Sequence, residues 1–198
     1  MSVVESIALA GGLAWASGIR LYLVLFLAGL LARLGYLDLP EALEVLGHPL
    51  VLGASGVMVV VEFVADKVPA FDSAWDALHT FIRIPAGAFL AAAALGTADP
   101  AWVVAAAILG GFIAAGAHLA KSGGRALINT SPEPVSNWVA STTEDLLVPA
   151  GLFAAIKAPV VFLIGLAVFA VLAVWLLPRL WRGFRGVVAR IHGAATPG

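Results

Sequence analysis

The chain has 198 residues, 62% of them hydrophobic and 12% charged, with a mean hydropathy of +1.02. A water-soluble domain carries about 25% charged residues, so this chain has too little polar surface to face water and reads as an all-α, polytopic integral membrane protein. Its 11 basic and 12 acidic residues nearly cancel, which gives no reason to expect nucleic acid, and the lack of cysteine excludes disulfides, thiolate metal sites and cysteine nucleophiles.

A spanning helix needs about 20 apolar residues. The first apolar stretch, residues 3–34, is too long for one straight crossing, and its Ser17-Gly18 pair predicts a break or kink that leaves open whether the segment is re-entrant. Glu5 stands where a cleavable signal would be basic, so this segment is expected to stay. Residues 38–49, with Asp38, Pro40 and Glu41 as helix-start types, predict a short amphipathic piece at the interface. Further spans are expected over residues 50–66, 72–97 (with Pro85 as a kink) and from Asp99-Pro100 to about Lys121. A polar loop over 121–134 then leads to a fifth span, 135–157, and Pro159 opens a sixth ending near Leu177.

About six crossings would place both termini on one side. Arg179, Arg182, Arg185 and Arg190 assign that side to the cytoplasm by the positive-inside rule. Residues 1–178 thus read as the transmembrane domain and 179–198 as a basic cytoplasmic tail. Within the domain, residues 50–98 and 100–157 read as halves of an internal two-helix repeat. "IPAGAFLAAA" aligns with "VPAGLFAAIK", and "DSAW" and "VSNW" precede them at similar distances. Transporter sites commonly lie where repeats meet; two half-sites here could meet within one chain or across a homodimer.

The charges in the third span are periodic. Asp72, Asp76, His79 and Arg83 stand at i, i+4, i+7 and i+11, one narrow stripe of a helix. Glu62 and Asp66 are an i, i+4 pair on the preceding span. The fifth offers Asn137, Ser141 and Glu144, flanked by Asp145, with Glu133 in the loop before it. At ~1.5 Å per residue Arg83 lies ~16 Å beyond Asp72, deep in the bilayer, where an unpaired charge costs about 3 kcal/mol or more. Arg20, Glu144 and Asp145 are similarly deep, so these groups must face one another or a polar cavity. Glu62, Asp66, Asp72, Asp76, His79, Glu133, Asn137, Glu144 and Asp145 are the candidate ligands for a solute or ion, and Arg20, Arg83 and Arg125 are the counter-charges. Carboxylates with one histidine suit a divalent metal ion, with Asp76, His79, Glu144 and Asp145 as the candidate set. His79 between acids also suits proton transfer.

"ASGIRLYLVLFLAGLL", "EFVADKVPAFDSAWDALHTFIRIPAGA" and "HLAKSGGRALINTSPEPVSNWVASTTEDL" together resemble a family of small bacterial integral membrane proteins classed as a domain of unknown function. The resemblance covers residues 3–177 and implies a multi-pass protein of the bacterial inner membrane, with no assigned activity to carry over. The expectation is a transporter or channel for a cation or small charged solute, proton-coupled through Asp76, His79, Glu144 and Asp145. Two alternatives are a lipid-phosphate carrier or intramembrane enzyme using Arg20, Arg83 and Arg125, and a membrane scaffold. No GxSxG elbow, HExxH pair or P-loop order is present to favour an enzyme.

Overall fold

A computed structural model describes residues 1–96, 98–129 and 134–194. These form α1 (Val3–Arg33), a 3₁₀ helix (Glu41–Gly47), α2 (Pro49–Ala65), α3 (Pro69–Ala94), α4 (Pro100–Ile128), α5 (Pro134–Lys157) and α6 (Pro159–Ala194). Each helix from α2 to α6 opens on a proline, whose fixed φ suits the first turn and whose missing N–H is no loss there. Ser2 and Glu5 cap α1 reciprocally, and Asp99 accepts the Ala101 N–H at 2.8 Å to start α4. Five helices, α1 among them, are long and apolar enough to cross a bilayer, and the 3₁₀ helix with α2, bent by 67°, is a sixth candidate. The chain is a multi-pass helical membrane protein.

The helical path of α1 is interrupted at Arg20, where φ is −140° and ψ is 78°. One pocket is lined jointly by Glu5 and Leu9 from before that point and by Tyr36, Leu37 and Asp38 from after it. A straight helix would separate Glu5 from Tyr36 by about 46 Å, so α1 turns back on itself. Residues 3–19 run into the bundle, residues 21–33 return to the end they came from, and Gly18 to Arg20 form the tip. Ser17, the residue expected to help break the helix, stays helical with its hydroxyl donating to the Ala14 carbonyl at 2.8 Å.

The inward arm is the centre of the molecule. Residues 8–21 are buried without exception, which suits a segment apolar on all sides. Small residues allow the close approach that holds helices together in lipid. A Cβ added to Gly18 would stand 2.8 Å from the Ala117 Cβ of α4, and one on Gly87 of α3 would stand 2.8 Å from Ser17 Oγ. Both positions need glycine for the backbones to meet.

Met1 shares a pocket with Leu95 and Trp102, and another with Lys157. The N terminus, the end of α3 and the starts of α4 and α6 therefore lie at one end of the bundle. From there α6 packs Ala173 against Gly116 of α4 and carries its C-terminal part to the other end. Six straight crossings would instead have brought both termini together.

One further expectation is corrected. The stretch 121–128, read as polar loop, is helical to the end of α4: the charges of Lys121 and Arg125 point inward to acids of neighbouring helices, so they do not mark the helix's exit into water. The apolar part of the sixth span ends at Leu176, close to where it was expected, and the helix runs on through Pro178 to Ala194.

Candidate functional site

The tip of α1 ends in a layer of charge. Arg20 is 1% exposed; its guanidinium donates to Asp66 at 2.6 Å and Asp145 at 2.8 Å, and to the Ser141 hydroxyl at 3.0 Å. The non-helical turn thus places a cation among acids of α5 and the α2–α3 hinge. Arg83, on α3, donates to Glu62 and to Asp76, each at 2.6 Å. The i, i+7 spacing of Asp76 and Arg83 puts both on one face of α3. Arg125, on α4, grips Glu144 with two bonds of 3.0 Å, from Nε and Nη2, a bidentate geometry that lysine cannot make. It also donates to the Asn137 side-chain oxygen, and Asn137 in turn donates to the Asp66 carbonyl at 3.2 Å.

Lys121 joins these groups. Its Nζ lies 2.8 Å from Asp66 Oδ2, 3.5 Å from Asp76 Oδ1 and 3.5 Å from Glu144 Oε2. It also donates at 3.3 Å to the Ile19 carbonyl, beside the break in α1. Lys67 reaches Asp145 at 3.8 Å from the outer rim. Five acids (Glu62, Asp66, Asp76, Glu144, Asp145) and five bases (Arg20, Lys67, Arg83, Lys121, Arg125) therefore close one network. The network is sealed except towards Lys67, Glu144 and Asp145, whose side chains are 17%, 14% and 23% exposed. At Asp66, in the hinge outside the spans, burial pushes the carboxyl up, but Lys121 and Arg20 outweigh it and hold it below its usual range.

Of the residues singled out in the sequence, Glu62, Asp66, Asp76, Asn137, Glu144, Asp145, Arg20, Arg83 and Arg125 are brought together. Asp72 is buried at the network's edge, accepting from Asn129 at 3.2 Å. Glu133 lies outside the described residues. His79 shares the stripe but turns aside: Nδ1–H donates to the Trp75 carbonyl at 2.8 Å, Nε2 meets the Tyr22 hydroxyl at 3.1 Å, and the ring stacks on Trp75. The proposed metal set of Asp76, His79, Glu144 and Asp145 is thus not assembled, and among the described residues no three His, Asp or Glu side chains converge as metal ligands. Arg20, Arg83 and Arg125 are each engaged by carboxylates.

The sequence reading left Lys121 and His118 out of the site. His118 is 1% exposed, 2.7 Å from Thr80 Oγ1 and 3.3 Å from Arg83 Nη1. The available signal was the i, i+4 spacing of Lys121 and Arg125 with His118 one turn earlier, which continues a helix face past the expected loop.

The family model described as Domain of unknown function (DUF4126) matches residues 7–179. The chain belongs to this family. No curated protein and no solved structure matches it. The DUF4126 match begins in the inward arm of α1 and ends just past the apolar part of α6, so it takes in every described residue of the network.

Proposed function

We propose that the protein is a transporter or channel for a cation or small charged solute in the bacterial inner membrane, proton-coupled, with the buried network as its gate. The observation that carries this reading is the tip of α1: a helix that turns back inside the bundle and presents Arg20 and the Ile19 carbonyl to acids of several other helices. Interrupted helices in membrane proteins are tolerated where their freed backbone is enclosed by protein or lines a pathway, and solute sites are commonly built on them. A purely structural network is a poor alternative, because apolar packing of similar volume is often as stable as a buried ion pair.

The internal repeat belongs to the same proposal. Gly87 and Gly151, the glycines of the two Pro-Ala-Gly steps, both pack on α1, Gly87 against Ser17 and Gly151 against the neighbouring Trp15 ring. The two halves would thus hold the inward arm from two sides, each supplying charge to its tip. By the positive-inside rule the arginines at positions 179, 182, 185 and 190 favour a cytoplasmic C-terminal end, and the N terminus, at the other end of the bundle, would then face outside. In transport, a solute or proton would take over one acid of the network and release its basic partner, breaking the seal at Glu144 and Asp145.

The test is flux in proteoliposomes loaded with a pH- or ion-sensitive dye, across sodium, potassium, ammonium, magnesium and proton gradients. Wild-type vesicles should conduct at least one of these faster than empty vesicles, and Asp76→Asn and Glu144→Gln should abolish it. Wild-type vesicles as tight as empty ones to the whole panel, or unchanged flux in both variants, would overturn the reading.

A further inference from the structure

We propose that the Lys121 ammonium occupies a monovalent-cation site, and that the solute handled under the reading above is a monovalent cation of ammonium size. Four oxygens surround Nζ, each from a different part of the fold: Asp66 Oδ2 of the α2–α3 hinge, Asp76 Oδ1 of α3, Glu144 Oε2 of α5 and the Ile19 carbonyl of α1. Nζ hydrogen-bonds Asp66 and the carbonyl at the interrupted helix and has two further carboxylates within ion-pair reach, so one ammonium gathers oxygens from four parts of the fold, as an ion supplied on a side-chain tether would.

Size and charge select the class. The oxygens stand 2.8 to 3.5 Å from Nζ, whereas calcium and magnesium draw oxygens to about 2.0–2.6 Å, which explains why this ring does not form a compact metal cluster. With Lys121 withdrawn, the ion-paired groups would number five acids against four bases. One positive charge restores the balance and two overshoot it. Spare ligand capacity is present as well: Asp66 Oδ1, Asp76 Oδ2 and Glu62 Oε2 are buried without a hydrogen-bond partner among the described residues, on side chains at most 3% exposed. Potassium, ammonium or a small protonated amine fits this shell. Lys121 would compete with the ion and refill the site when it leaves, so the gate never stands empty of positive charge.

The experiment removes the tether and asks whether a free cation replaces it. Lys121→Ala and wild type are purified in detergent and melted in the chlorides of N-methylglucamine, ammonium, methylammonium, potassium, sodium and magnesium at equal ionic strength. At a cation concentration about a hundredfold above its Kd, the variant should melt about 5 to 10 °C higher in ammonium or potassium than in N-methylglucamine. Wild type should show no such difference, and adding Glu144→Gln to the variant should shrink it. Equal melting of the folded variant in every salt, or a larger shift with magnesium, would overturn the proposal. If Lys121→Ala does not fold in N-methylglucamine, Lys121→Gln replaces it. If neither folds, purification in ammonium chloride must rescue one of them or the proposal falls. Cation-dependent melting without flux in vesicles would keep this site and remove the transport reading; flux without it would do the reverse.

Discussion

Replacing Arg83 with methionine removes a cation bonded to two carboxylates at once. Arg83 is 0% exposed and its partners Glu62 and Asp76 are 1% and 2% exposed, so water cannot take over the lost bonds of 2.6 Å. Breaking one buried pair while leaving its partner charged costs about 3–5 kcal/mol. A protein of this length loses about 2–4 °C of melting temperature per kcal/mol, so Arg83→Met should melt about 6 to 20 °C below wild type, read by tryptophan fluorescence in detergent. Adding Glu62→Gln and Asp76→Asn removes the stranded charges, and the triple variant should regain at least half of the loss. A single variant melting within about 2 °C of wild type, or a triple variant no better than the single, would refute the pairing.

Two further outcomes follow from the same geometry. The folded Asp66 carboxyl sits below its unfolded value, so its contribution to stability is complete above about pH 4 and is lost as pH falls through the lower folded value. The wild-type melting temperature should drop over that acid range, and Asp66→Asn should flatten this limb while melting lower at pH 7. Because the chain has no cysteine, single cysteines report sidedness directly. Ser2→Cys and Asp38→Cys should react with an impermeant maleimide from one side of the membrane and Arg182→Cys from the other; labelling of positions 2 and 38 from opposite sides would refute the turn in α1.

The helices from α2 to α5 were readable because their apolar runs are punctuated by prolines and by Asp99, which act locally. The pairing of Asp76 with Arg83 was readable for the same reason, since both lie on one helix and 3.6-residue periodicity puts them on one face. What escaped was set by tertiary contacts. The break in α1 was expected at Ser17-Gly18 and falls two residues later, at Arg20, where Asp66 and Asp145 hold the side chain. Lys121 was placed at a membrane exit because a lysine before Ser122-Gly123-Gly124 reads as leaving lipid. Only the acids of α3 and α5 and the α2–α3 hinge show that it points inward, and they are distant in sequence. His79 was assigned to the charged face by spacing alone, but stacking on Trp75 and a bond to Tyr22 drew its ring away.

The depth at which Arg20 sits has a bearing on how the chain is made. Its contacts with the Glu62 and Ser141 carbonyls span 42 and 121 residues of sequence. At about 5–20 residues per second of synthesis, the α1 hairpin waits roughly 6 to 24 s for the helix that completes its cradle. During that interval its guanidinium can pair with Asp66 but has no acid of α5 to meet. The turn at Arg20 therefore completes its set of contacts only after α5 has been made. A chain truncated before α5 would keep the packing of this hairpin on α3 and α4 but leave Arg20 without Asp145 and Ser141.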